Sequence, residues 1–481
     1  MKGLARIQQH LVSLLGGAER RATLVLFTGS SVGIVVSYLA QPILTRQYSP
    51  EAFGTADVFM AIVSLLFPIA SLRYEDALLL PKEEHEAVSL FWLSVWLTVG
   101  TTLLTAVLSL VAVPWLAGTP YAPLIPWLPW LSAGVFLSRA SRILVQWSAR
   151  CQTFGPIAHS NSNRAFVTSG WRVAAGWVSP GAGGLIHGFI VGHLASTLGL
   201  LWGTRTISTP IRTLAPLSSL VAMARRYKRF AFFTTPASLL NNLSSRLPLF
   251  LLGLFYSLET VGQFGRVLLL LPVPLGLATS ALGGVFHVQI ARIGRRGPLG
   301  KETSSTFVRL AAVGFLPTAL ICVTGPELFA LFFGESWREA GLMAQRTAPW
   351  LYLASVAAPL TALFDVLERH RLDFFISLVL SGTLAGALWL GGMHFTALDA
   401  LLLAGIVGGS VRIVQIGVLL YLARVAWGKT FGELTPYLLW TLLACGGAWL
   451  LVHDVFVVGV SLGLAGCVGY LATFVQPDPT T

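Results

Sequence analysis

Charge is scarce in this sequence. Lys, Arg, Asp and Glu make up 11% of its 481 residues, against 55% hydrophobic ones. A soluble domain cannot hide that much apolar surface, so lipid must be the solvent for most of the chain. Cysteine is scarce as well: Cys151, Cys322, Cys445 and Cys467 are scattered, with no CxxC pair. They read as small apolar side chains within helices, which excludes a disulfide framework and a metal site. There is no GxxxxGK[ST] loop, so the protein does not power itself with ATP. Neither a carboxylate pair nor a Ser-His-Asp grouping assembles with any specificity. The expectation is therefore not an enzyme, with no cofactor and no metal. No cleavable signal peptide is expected either, because no short apolar core ends in a small-residue cleavage motif.

What is present is a succession of apolar segments, each about 20 residues long and able to span a bilayer core. Fourteen spans are predicted, at 22–45, 53–72, 87–113, 121–148, 157–178, 184–203, 230–255, 261–286, 306–324, 345–367, 373–392, 397–423, 434–453 and 455–475. The expected fold is an all-α polytopic membrane protein. Before the first span, Leu4, Ile7, Leu11 and Leu14 recur at helical spacing among Lys2, Arg6, Arg20 and Arg21. That pattern suits an amphipathic interfacial helix over 1–21.

The net charge of +12 does not point to nucleic acid, because the basic residues lie mostly in short loops between apolar segments. They act instead as topology signals. With the N-terminus in the cytoplasm, twenty-one Lys and Arg fall in inside loops and only Arg46, Arg338 and Arg346 in outside loops. This bias places both termini in the cytoplasm. The charge-rich "SLRYEDALLLPKEEHEA" at 71–87 then forms the cytoplasmic turn between spans two and three.

An internal repeat organises the chain. "YSPEAFG" at 48–54 returns as "YSLETVG" at 256–262, and "PWL" at 129–131 returns at 349–351. Arg150, near the end of the fourth span, corresponds to Arg369 at the end of the tenth. Residues 22–203 and 230–424 read as two pseudo-symmetric six-helix lobes joined by a basic cytoplasmic linker, 204–229. Residues 425–481 add two C-terminal helices and a short tail. Six spans separate the copies, so the repeat is parallel, with its axis along the membrane normal.

"ILTRQYSPEAFGTADVF" and "LRYEDALLLPKEEHEAV" resemble the N-terminal signature of bacterial polysaccharide flippases. "WSARCQTFGPIAHSN", "RRYKRFAFFTTPASLLNNLSSRLPLFLLGLFYSLETVGQFG" and "LFFGESWREAG" extend the resemblance over most of residues 20–380. These proteins belong to the multidrug/oligosaccharidyl-lipid/polysaccharide exporter superfamily. The resemblance implies a pair of six-helix bundles working by alternating access in a bacterial plasma membrane. It implies a polyprenyl-pyrophosphate-linked oligosaccharide as substrate, for O-antigen or exopolysaccharide synthesis, with polysaccharide assembly proteins as partners.

Ionisable groups inside predicted spans each need a reason, since one costs about 2.5–3.5 kcal/mol on insertion scales. Arg139, Arg142, Gln146 and Arg150 share one helix face, as do Asn161, Arg164, Thr168 and Arg172. Arg246 and Arg266 also lie well inside spans. Arg139, Arg142, Arg164, Arg172, Arg246, Arg266 and Arg46, with Asn161 and Gln146, are the candidate lining of a cationic cavity, where guanidinium forks match pyrophosphate oxygens. Structural roles compete: Arg150 and Arg46 suit snorkelling to the interface. Asp57 and Arg266 lie at nearly equivalent repeat positions and suit either an ion pair or a gate. Gly184, Gly188 and Gly192 suit close helix packing.

The turn at 71–87 suits either a simple connector with local pairing or a cytoplasmic gate using Arg73 and Glu75. Asp57, Asp365 and Glu368 are the candidate carriers of a coupling H+ or Na+. Rival functions are a small-molecule antiporter of the same superfamily, a polysaccharide polymerase or membrane glycosyltransferase, and an assembly scaffold. An arginine-rich interior suits the first poorly. The short outside loops suit the second poorly.

Overall fold

The computed structural model describes residues 31–203, 214–294, 297–452 and 456–475. The amphipathic helix expected over 1–21 lies outside them, as does the 204–213 part of the linker. Among the described residues every regular element is helical. The chain divides into two compact units, Met1–Gly262 and Gln263–Thr481.

The first unit begins with helical residues 31–39 and α1 (Gln41–Gln47). Then α2 (Pro50–Ala70) starts on an N-cap: Ser49 accepts from the Ala52 N–H, Pro50 occupies the first turn, and Glu51 complements the helix dipole. It ends where Leu72 and Arg73 turn left-handed, at φ 49° and 60°. A tight 3-10 turn, Tyr74–Leu79, follows and leads into α3 (Glu84–Leu116), whose first turn carries Glu84 and Glu86. The unit continues through α4 (Leu128–Arg150), α5 (Phe154–Val178), α6 (Ala182–Gly203), α7 (Leu217–Arg226) and α8 (Thr235–Phe255).

The glycines expected to pack do so on α6. A Cβ at Gly184 would fall 2.3 Å from the Tyr48 hydroxyl, and one at Gly192 would fall 1.9 Å from Thr168 Oγ1. In the second copy of the repeat, α9 (Leu258–Leu270) begins beside the first copy. A Cβ at Gly54 would lie 1.7 Å from the Leu258 carbonyl oxygen, and one at Gly262 would lie 1.8 Å from the Pro50 carbonyl oxygen. The duplicated glycines thus mark a backbone-to-backbone crossing in which each occupies the same place. Helix α8, which the repeat assigns to the second lobe, is held to α2 by a 2.8 Å bond from Asn242 Nδ2 to the Ser64 carbonyl.

The second unit holds the rest of α9, then α10 (Pro272–Ile293), α11 (Gly300–Phe333), α12 (Arg338–Leu360) and the short α13 (Ala362–Val366). The chain closes with α14 (His370–His394), α15 (Ala397–Leu422), α16 (Trp427–Val452) and α17 (Phe456–Val475). The eighth predicted span is two helices, because Pro272 lacks the N–H that would continue α9. Helix α11 is longer than its predicted span and kinks at Thr324, ahead of Pro326. Phe286, Phe307, Leu310, Leu360, Phe364 and Leu419 form a core of the second unit. Helices α16 and α17 cross at small residues, with Gly466 against Ala444. Tyr470 of α17 donates to the Ala312 carbonyl of α11, and Ser304 and Thr430 share a 2.6 Å hydroxyl contact.

Among the described residues, eight helices are long and apolar enough to cross a membrane by length and composition. Helices α4, α5 and α8 coincide with predicted spans yet fall below that standard. Each carries arginine within the helix, which lowers its hydropathy.

Candidate functional site

The charged turn and one face of α4 form a single network at one end of the first unit. Glu75 and Arg139 are both fully buried, with Arg139 Nη1 2.5 Å from Glu75 Oε1. The second carboxylate oxygen of Glu75 accepts from the Ser71 hydroxyl. Arg139 Nη2 donates to the Phe67 carbonyl, and its guanidinium lies 3.5 Å from the centroid of the Phe67 ring. A charge removed this far from water is tolerable only with such partners.

Asp76, one residue on, serves the exposed half of the network. Its Oδ2 lies 2.9 Å from Arg73 Nε; its Oδ1 accepts from Gln146 Nε2 at 2.9 Å and lies 3.6 Å from Arg142 Nη2. Arg150 completes the α4 face by donating from Nη1 to the carbonyls of Leu78 (2.9 Å) and Pro81 (2.8 Å). The left-handed Leu72 and Arg73 are what turn the chain so that Glu75 faces inward and Asp76 outward. The linker helix α7 joins the same end: the Tyr74 hydroxyl donates to the Ala224 carbonyl at 3.0 Å, and Arg226 pairs with Glu86. Burial pushes the Tyr74 phenol above its ordinary pKa.

The structure thus brings together Arg73, Glu75, Arg139, Arg142 and Gln146. Sequence reasoning had divided them between a gate and a cavity. It missed Asp76 as the hub, and Ser71 and Tyr74 as supports; the crowding of acids in a charge-poor chain was the only signal for them.

The remaining candidates lie elsewhere. Arg172 is tied into helix packing: Nε donates to the Leu185 carbonyl at 3.1 Å, and its own carbonyl accepts from the Tyr48 hydroxyl at 2.6 Å. Arg46 donates to the Pro42 carbonyl of its own helix at 2.9 Å. Asn161 is half-buried on α5, and Asp57 is buried on α2. In the second unit Arg266 is buried on α9, and Asp365 lies exposed, 3.5 Å from His370 Nδ1.

Arg164 and Arg246 differ from all of these. Arg164 is ten residues into α5 and Arg246 eleven into α8, about 15 Å from either helix start at 1.5 Å per residue. Both are exposed, and among the described residues neither guanidinium has an ion pair or hydrogen bond. Each is a cation at mid-span, and Arg164 lies within electrostatic reach of His193.

The polysaccharide biosynthesis protein family matches residues 43–341, spanning the charged turn, α4, α5 and α8. The chain belongs to that family. No curated protein matches it. Among solved structures, the lipid II flippase MurJ in an inward closed conformation is similar, with a TM-score of 0.71 at 12% identity over 94% of this chain and 97% of that one. An inward-facing multidrug resistance transporter of the MATE family, in the MOP superfamily, matches with a TM-score of 0.61 at 16% identity, covering 81% of this chain and 94% of that one. An outward-facing member of the same family gives 0.53 at 14% identity, covering 88% and 97%. At these identities the likeness is one of fold. This polysaccharide biosynthesis protein is therefore a multi-pass membrane protein with the MOP transporter fold, as its sequence led one to expect.

Proposed function

We propose that the protein carries a polyprenyl-pyrophosphate-linked oligosaccharide from the cytoplasmic to the outer leaflet of a bacterial plasma membrane, by alternating access between two six-helix lobes. The observation that carries this reading is the pair Arg164 and Arg246, mid-span cations with no ion pair or hydrogen bond among the described residues. A cation at that depth belongs in a water-filled path or against an anionic ligand. A pyrophosphate offers several oxygens to such guanidinium groups. The family's place in polysaccharide biosynthesis and the fold shared with a lipid flippase support the same reading. The fold is also shared with multidrug transporters, but arginines at mid-span favour an anionic cargo over a cationic drug.

In this scheme the network around Glu75, Arg139 and Asp76 is the cytoplasmic gate of the first lobe, and both termini are cytoplasmic. Arg139 acts there as a fastening rather than as a ligand. Arg142 and Gln146 form its solvent-facing edge. Asp57 and Asp365 are the carboxylates assigned to coupling with H+ or Na+. Replacing Arg164 and Arg246 with Gln tests the reading: surface polysaccharide falls by tenfold or more at unchanged protein level. Normal export by the double variant overturns the role given to both arginines.

A further inference from the structure

The second unit carries a basic cavity that the transport scheme leaves unused. Arg369 and Arg424 open onto a space of about 620 Å3, with Tyr421 and Trp427 at its sides and Leu367 and Val425 among its apolar walls. That volume suits a small polar headgroup. Both arginines sit in connectors between spanning helices, Arg369 just before α14 and Arg424 between α15 and α16. Among the described residues neither guanidinium has an ion pair or hydrogen bond, so both charges remain available.

The cavity is held by backbone. Glu368 and Arg424 are left-handed at φ 54° and 58°. The Arg369 N–H donates to the Phe364 carbonyl at 2.8 Å, and the Val425 N–H donates to the Leu420 carbonyl at 3.1 Å. The start of α11 braces the far side, where a Cβ at Gly300 would meet the Arg424 carbonyl oxygen at 2.8 Å. The two loops are therefore fixed with their arginines on one space.

We propose that this cavity binds the phosphodiester headgroup of an anionic membrane phospholipid. The shared chemistry is phosphate, and three features choose lipid over a soluble anion. Tyr421 and Trp427 lie within two residues of the ends of spanning helices, the depth at which aromatic side chains meet headgroups. Phe374 and Phe375, both more than half exposed, follow Arg369 on the first turns of α14 as apolar groups free to meet lipid. Basic pockets between spanning helices at the cytoplasmic surface are suited to anionic headgroups. The assignment concerns binding alone and stands or falls apart from transport.

The test is a titration of the purified full-length protein with phosphatidylglycerol, phosphatidylcholine or inorganic phosphate, read by native mass spectrometry. One phosphatidylglycerol binds the wild type in preference to phosphatidylcholine. R369Q/R424Q weakens that site about thirty-fold, roughly fivefold for each charge lost. Either single substitution gives the fivefold step, and R369K/R424K retains most of the affinity. Unchanged phosphatidylglycerol binding by the Gln variants overturns the proposal. So does displacement of the lipid by millimolar inorganic phosphate, which identifies a soluble anion as the ligand.

Discussion

Removing Glu75 isolates Arg139 in the interior of the first unit. Both side chains are fully buried, and among the described residues the carboxylate is the only anion bonded to the guanidinium. Glu75→Ala leaves Arg139 with the Phe67 carbonyl and ring. Breaking one partner of a buried pair costs about 3–5 kcal/mol. The reverse variant, Arg139→Met, costs less, about 2–3 kcal/mol, because a stranded carboxyl sheds its charge by protonation whereas a guanidinium cannot. Replacing both partners, as in E75L/R139M, restores stability to within about 1 kcal/mol of wild type, since two apolar side chains avoid the desolvation altogether. Denaturant unfolding of the purified protein in detergent measures wild type, E75L, R139M and E75L/R139M as a double-mutant cycle. The geometry predicts a coupling of about 3 kcal/mol or more. Additive losses, or an E75A variant within about 1 kcal/mol of wild type, refute a closed buried pair.

Three other outcomes follow from the same structure. Gly54→Ala and Gly262→Ala each push a methyl group into a carbonyl oxygen of the facing helix, at 1.7 and 1.8 Å. Each lowers stability by about 1–3 kcal/mol on the same unfolding assay, whereas Gly100→Ala, with open space around it, does not. Tyr74→Phe removes one hydrogen bond to Ala224 and costs about 0.5–1.5 kcal/mol near neutral pH. The Tyr74 phenol is raised in the folded protein, so its contribution is present below pH 10 and fades as pH rises through the folded value. The gap between wild type and the Phe variant therefore narrows in alkaline unfolding titrations.

The all-helical, multi-pass character of the protein was legible in composition, because bilayer thickness imposes a length and an apolar pattern on each span. The duplicated "YSxExxG" was legible as a repeat, and its glycines prove to sit where two backbones touch. The local pairing of Arg73 with Asp76 could also be read, being only three residues apart. The Glu75–Arg139 pair could not, because 64 residues separate its members and helical spacing says nothing about which helices meet. Arg150 illustrates the same limit. Its place near a helix end suggested snorkelling, yet it reaches back to cap the carbonyls of the turn at Leu78 and Pro81. The break between α9 and α10 was visible as Pro272, but the apolar run on either side outweighed it in a hydropathy reading.

The central claim is that Arg164 and Arg246 carry a pyrophosphate head group across the membrane. Purified protein reconstituted into liposomes with a fluorescent polyprenyl-pyrophosphate-linked oligosaccharide tests it directly, by the fraction of label that a membrane-impermeant quencher reaches over time. The wild type moves the label between leaflets, and R164Q/R246Q slows it by tenfold or more with the same amount of folded protein in the vesicles. Equal rates for the two proteins, or no movement by the wild type under an imposed ion gradient, contradict the claim.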